Sequence, residues 1–238
     1  MTLIRTLSSL FRFKHGTAQP EDIQWLSYHI PKTAGSSLRQ MFYREFGRSS
    51  VFDVYRPDEA RSLGQGNAIH ISGRSRVVHG HFKPHRKHSE LFPNANSMVW
   101  VRDPIQRIWS LVGHLLDLQW KHPHYETIHN LYISKGIENQ SDIVERIIKE
   151  RSIPYMVTTY SRFFSEVGIQ EFSFVGSMHN FATSIELLNK DFNFIHSLGI
   201  DAPALEGFLF PDTYILLKTY AEEDIIKIMA NQFKYKMD

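Results

Sequence analysis

A buried-strand signal that runs straight into a helix-start signal constrains this chain more than any other feature. Residues 97–102 (SMVWVR) are almost continuously apolar up to Arg102, as expected of a strand covered on both faces. Asp103 follows as a helix N-cap and Pro104 as the first helical residue, where a missing N–H is harmless. The same order appears earlier in the chain. Residues 23–30 (IQWLSYHI) read as a strand stopped at Pro31, and the polar loop PKTAGSS comes next. Residues 38–46 (LRQMFYREF) then place Leu38, Met41, Phe42 and Phe46 at helical spacing before Gly47. Two such units predict a single α/β domain with a mainly parallel central sheet flanked by helices, and parallel sheets of this kind bind ligands beyond the carboxyl ends of their strands.

The rest of the chain fits that pattern. Residues 76–81 (RVVHGH) and 172–176 (FSFVG) are further strand candidates. The helix opened by Asp103 runs to about Trp120, with a polar stripe of Asp103, Gln106, Arg107, Ser110, His114 and Asp117 opposite Ile108, Leu111, Leu115 and Leu118. A less distinct helix covers residues 142–150. Another begins at about Thr183, where Thr183 and Glu186 have capping-box spacing, and an amphipathic helix over residues 221–233 closes the chain. Trp100, Trp109, Phe163 and Phe164 read as core. Residues 1–20 form an N-terminal segment and residues 21–238 one domain, with no linker to divide it. The segment places Leu3, Leu7, Leu10 and Phe11 on one helical face but has no apolar h-region or cleavage site, which argues against a signal peptide. A weak interfacial anchor and a plain terminal helix or frayed end both fit it. No run approaches the ~20 apolar residues that span a bilayer.

Composition removes several chemistries. At 238 residues the chain buries a core large enough to need no staple, and with no cysteine it holds no disulfide, thiolate zinc site, iron–sulfur cluster or thiol nucleophile. Twenty-seven Lys plus Arg against 25 Asp plus Glu leave a net +2, too little to hold duplex nucleic acid by phosphate neutralisation. The anomaly is 13 histidines, groups that can act as bases near neutrality.

Two motifs carry chemistry. The loop with Lys32, Thr33, Ala34, Gly35, Ser36 and Ser37 offers a flexible cation, hydroxyls and backbone N–H groups at a helix start, which suit a phosphate. It is not a Walker A loop, since its lysine precedes the glycine. Taken alone it fits a plain strand-to-helix turn equally well. In VRDPIQRIWS, Arg102 supplies a forked donor set matched to phosphate oxygens and Ser110 lies on the same helix's polar stripe; arginines paired with carboxylates are the alternative.

Together, PKTAGSSL after a strand and RDPxxRxxS some 65 residues later resemble the PAPS-dependent sulfotransferases, in particular the carbohydrate family that includes the heparan sulfate 2-O-sulfotransferases and their bacterial relatives. VVHGHF at 77–82 resembles that family's histidine-bearing strand. FVGSMHNFATSIELL at 174–188 is similar to its FVGxxExFxxSLxLL segment, and TYAEEDIIKI near the C-terminus to its closing YAxDxxLY helix. Ala34 and Ser36 replace the commonest loop residues, and His179 stands where the family usually carries glutamate.

The resemblance implies transfer of a sulfuryl group from 3′-phosphoadenylyl sulfate (PAPS) to a hydroxyl, with release of PAP. Lys32 would stabilise the leaving oxygen, while Thr33, Ala34, Gly35, Ser36 and Ser37 would hold the 5′-phosphate. Arg102 and Ser110 would hold the 3′-phosphate, and Val175 and Gly176 would pass the adenine. By the same resemblance His81 is the base, and His79 supports it or contacts the substrate; two apart on a strand, they share a face, and a pair of strand histidines bonded to backbone carbonyls is the alternative. No metal is expected, although His79, His81, His85 and His88 lie close enough in sequence to invite a metal reading. The acceptor is expected to be a glycan, gripped by the basic loop HFKPHRKH if anionic, or else that loop is merely solvated. The relatives of the Golgi are anchored, so the lack of a leader or anchor here gives the expectation of a cytoplasmic, bacterial enzyme. A P-loop-like nucleotide-dependent kinase, a non-catalytic nucleotide or anionic-glycan binding module and a histidine-rich metal protein are the competing readings.

Overall fold

The structure, a computed structural model, describes residues 18–192. The N-terminal segment up to residue 17 and the closing helix at 221–233, with the motif it carries, lie outside the described residues.

Five strands, β1 (Trp25–Tyr28), β2 (Val51–Val54), β3 (Val77–Gly80), β4 (Asn96–Val101) and β5 (Phe174–Ser177), form one sheet in the order β2-β3-β1-β4-β5. Every neighbouring pair is parallel. The described α-helices between and after them are α1 (Gly35–Phe46), α2 (Pro57–Gly64), α3 (His88–Leu91), α4 (Pro104–Leu118), α5 (Tyr125–Leu131), α6 (Gln140–Glu150), α7 (Pro154–Val157), α8 (Thr159–Phe163) and, following β5, α9 (Phe181–Phe192). The expected α/β class with a parallel sheet flanked by helices is what the chain adopts. Among the described residues no helix is long and apolar enough to cross a membrane.

Alternation along the strands sorts the core into two layers. Trp25, Val77, Met98, Trp100 and Phe174 face one way and pack against Leu38, Met41 and Phe42 of α1 and Ile185 and Leu188 of α9. Leu26, Tyr28, Val78, Val99 and Val101 face the other way, into the larger cluster with Leu63 of α2, Ile108 of α4 and Ile147 of α6. With both faces covered, β1, β3 and most of β4 are buried. The sheet order puts β2 and β3 on one side of β1 and β4 and β5 on the other, so the chain changes side of β1 between β3 and β4. In open parallel sheets, ligands bind beyond the carboxyl ends at such a switch point.

Three sequence expectations are corrected. Arg107 does not sit on an open polar stripe: it is 1% exposed, its guanidinium donates to the Met156 carbonyl and it lies over the Tyr160 ring. Trp109, expected in the core, is 40% exposed because it occupies the outer side of α4. Thr183 caps nothing, since α9 begins at Phe181. There the buried Ser184 hydroxyl accepts from the Ser177 N–H and fixes the helix start two residues earlier.

Candidate active site

Strand register builds the first half of the site. Ser27 of β1 lies beside His79 of β3, which lies beside Asp53 of β2. Two residues further on, at the carboxyl edge, the same alternation brings His29, His81 and Tyr55 into a row on the α1 face. The backbone continues the pairing past the strands: His29 N–H donates to the Gly80 carbonyl at 2.8 Å and His81 N–H to the Val54 carbonyl at 2.9 Å. The His29 and His81 rings lie 4.5 Å apart, and Tyr55 meets His81 edge-on at 4.8 Å.

The row is tied together from below. His79 is fully buried, with Nδ1 bonded to the Ser27 hydroxyl at 2.9 Å and Nε2 to the Tyr55 hydroxyl at 2.9 Å. That same Tyr55 hydroxyl reaches His29 Nδ1 at 3.0 Å, while the Arg39 guanidinium lies 5.4 Å from the Tyr55 ring centre. Burial, reinforced by the neighbouring imidazoles, lowers the His29 pKa to about 2; burial lowers that of His79 to about 3. His81 differs. Its side chain reaches solvent, and no hydrogen bond ties it among the described residues, yet the protein crowded around it lowers its pKa to about 4. All three rings are therefore neutral at pH 7. Burial drives the Tyr55 phenol well above its ordinary value and keeps its proton in place.

The second half is the loop after β1. Lys32 and Ala34 both adopt left-handed backbone, with φ of 70° and 65°. Thr33 between them is fully buried and directs both its N–H and its hydroxyl to the Ile30 carbonyl, at 3.2 and 2.8 Å. It shapes the turn. The helix starts at Gly35, three residues earlier than the apolar spacing indicates, so Ser36 and Ser37 lie exposed in its first turn. No side chain caps α1, and the N–H groups of Gly35, Ser36 and Ser37 have no protein acceptor among the described residues. Gly35 is required by packing, since a Cβ there would overlap the His29 ring.

The third part lies at the end of β4. Arg102 is half-buried, and its backbone is clamped by Tyr160, whose hydroxyl accepts from the Arg102 N–H at 2.9 Å and donates to its carbonyl at 2.6 Å. Among the described residues neither Arg102 nor Lys32 forms an ion pair. Burial lowers the Lys32 pKa, and the nearby charge of Arg102 lowers it further against a smaller opposing effect from Asp117. Asp103 is buried and caps α4 by accepting from the Gln106 N–H at 2.9 Å, as its sequence position predicts. Ser110 is half-buried one further turn beyond Arg107. In β5, Gly176 pairs with Trp100, whose ring fills the space a side chain would take, and Val175 packs into the larger core layer.

The structure therefore gathers Lys32, the α1 start, His79, His81 and Arg102 along one sheet edge. His29, Tyr55, Ser27 and Tyr160 belong with them and carry no local signal: each is an ordinary strand, loop or helix residue until the sheet register or the packing of α8 brings it in. The four histidines of the 79–88 segment do not converge. His88 lies on the opposite side of the sheet between the Tyr28 hydroxyl and the Leu63 carbonyl, both at 2.8 Å. His85 and Arg86 are tied to Glu166, leaving Lys83 and Lys87 of the basic loop exposed.

No protein-family model and no curated protein matches the chain. The crystal structure of a sulfotransferase from Alicyclobacillus acidocaldarius superposes with a TM-score of 0.39 and 10% identity, over 87% of this chain and 96% of that one. At that score and identity the likeness carries no argument for fold or activity.

Proposed function

We propose that the chain is a PAPS-dependent sulfotransferase acting on a hydroxyl of a carbohydrate acceptor. The observation that carries the reading is the order of groups along the carboxyl edge. Among the described residues, an unbonded, solvent-reachable imidazole stands at β3, an uncapped helix start with an unpaired lysine at β1, and an unpaired arginine at β4. A sulfuryl donor with two anionic ends, attacked in line from the side away from its second phosphate, calls for that order. The motif resemblance supports the same assignment independently of geometry.

PAPS supplies a sulfuryl group on a 5′-phosphate together with a separate 3′-phosphate. The N–H groups of Gly35, Ser36 and Ser37 receive the 5′-phosphate, with Ala34 and Thr33 holding the loop that aims them. Lys32 places its ammonium against the bridging oxygen as the sulfur–oxygen bond breaks. Arg102, held by Tyr160, and Ser110 take the 3′-phosphate; Val175 and Gly176 pass the adenine only by the motif resemblance, since Val175 packs into the core and the Trp100 ring covers Gly176. His81 removes the proton of the attacking hydroxyl, and His79 supports it from below. Because His81 titrates at about 4, kcat/KM should fall on the acid side near pH 4 and not near 6.5.

The test is a thermal-shift comparison of PAP, PAPS, AMP and ATP, with and without magnesium, followed by transfer from PAPS to a panel of glycans. PAP should stabilise the protein strongly, by about 2.7 kcal/mol at one hundred times its dissociation constant. AMP should do little. An equal response to AMP removes the 3′-phosphate assignment, and a magnesium-dependent response to ATP supports a kinase in its place.

A further inference from the structure

The hydrogen-bonded row Ser27–His79–Tyr55–His29 has a direction. The Tyr55 hydroxyl bridges His79 Nε2 and His29 Nδ1 with one proton, so it donates to one ring and accepts from the other. Two neutral imidazoles joined in this way must share the same tautomer: both protonated on Nδ1, or both on Nε2. Ser27 chooses between them. It is 1% exposed, and among the described residues its hydroxyl has His79 Nδ1 as its single partner. An arrangement with the proton on His79 Nδ1 leaves the Ser27 O–H buried without an acceptor, which is the more costly state. The serine therefore donates to His79 Nδ1, His79 Nε2–H to Tyr55, and Tyr55 to His29 Nδ1. The last proton of the row sits on His29 Nε2.

That nitrogen has no partner among the described residues and is not sealed from solvent. The edge of the ring that carries it lies where a Gly35 side chain would stand, at the start of α1. We infer that His29 is a substrate-contacting residue, donating a neutral Nε2–H hydrogen bond to an oxygen of the transferring group beside the α1 N-terminus, with Tyr55 and Ser27 as the positioning residues that fix its proton. The inference rests on the sulfuryl-transfer reading for the identity of that group. A neutral donor serves this purpose well. It stabilises developing negative charge without adding a third cation to Lys32 and Arg102, and it cannot take the acceptor's proton in competition with His81.

The decisive measurement is nitrogen NMR of the full chain labelled with 15N-histidine at pH 7. The protons of His29 and His79 are both expected on Nε2; a His29 proton on Nδ1 overturns the inference, whatever group the protein transfers. Ser27→Ala should move part of the His29 population to Nδ1, and Tyr55→Phe should uncouple the two rings; an unchanged His29 signal in both variants also overturns it. In transfer from PAPS, His29→Ala should lose about 10²-fold in kcat with little change in KM. His29→Gln, which restores an N–H at similar reach, should recover at least about tenfold of that loss; wild-type kcat in His29→Ala removes the donor role. If the wild-type protein transfers no sulfuryl group, the functional reading fails. Displacement of the His29 Hε2 resonance by inorganic sulfate then still supports contact with an anion, and its absence refutes it.

Discussion

At the junction of β1 and α1 the chain passes through two left-handed non-glycine residues and enters a helix whose first N–H groups have no cap. At the junction of β4 and α4 a buried aspartate caps the helix and a proline occupies its first turn. Among the described residues, both junctions present a cation without an ion pair, Lys32 in one and Arg102 in the other. The difference lies in the backbone. The first helix start is open to a ligand, whereas the second is already satisfied by Asp103, so an anion at β4 must be held by side chains. Open backbone donors are rigid and aim at one point, which suits a reacting centre. An arginine fork with a helix serine suits recognition of a group that does not react. The local conformations carry that contrast too: left-handed backbone at a residue with a side chain costs about 1–2 kcal/mol, a strain found at β1 and not at β4.

The contrast can be broken at either end. Lys32→Ala should have the largest effect, a loss of about 10²–10³-fold in kcat with PAP affinity changed far less, read from the rate of PAP release. Arg102→Ala should do the reverse. It should weaken PAP by roughly 10–100-fold, the worth of a charge-assisted hydrogen bond, leave AMP affinity as it was, and be only partly repaired by lysine; isothermal titration with both nucleotides separates the two. Acid should act on the β1 side through His29 and His79. The folded protein holds both neutral, while the unfolded chain protonates them near pH 6.5. Their contribution is therefore complete above about pH 6.5 and is lost as pH falls toward about 3, at up to about 1.4 kcal/mol per pH unit for each ring. Urea midpoints at pH 7, 6 and 5 check this, and a stability that does not change over that range contradicts the neutral row. The smallest effects lie in the junctions themselves. Asp103→Ala should cost about 1 kcal/mol through the lost cap. Ala34→Gly should gain about 0.5–1 kcal/mol by relieving the left-handed turn. Both are read as shifts in unfolding midpoint.

What could be read in the sequence was what local signals encode. The runs ending at Pro31 and Arg102, the Asp103 cap and the Gly47 stop are one-dimensional features, and the sheet class follows from them. Strand β2 (VFDV) gives no such signal, because it is a four-residue edge strand interrupted by an aspartate. Its absence from the sequence reading hides Tyr55, which is a site residue only because β2 pairs with β3. His29 reads as the end of a strand, and its place above Gly35 exists only once α1 folds back over the sheet. Arg107 and Trp109 show the opposite failure. Helical spacing sorts residues by polarity, yet a carbonyl at Met156 makes an arginine a core residue while the outer side of α4 leaves a tryptophan in water. The pair His79 and His81, indistinguishable by type and spacing, is separated by bonding: one ring has both nitrogens occupied, the other neither.

With every described strand parallel, α1 and α4 both start at the same edge of the sheet, and among the described residues Lys32 and Arg102 stand there without ion pairs. Cations gathered at one edge attract polyanions at a rate that salt slows. A spent nucleotide that keeps both phosphates leaves against the same field that brought it in. On the proposed sulfuryl-transfer reading, departure of that nucleotide is the step expected to limit turnover, and its removal by a downstream reaction is expected to relieve it.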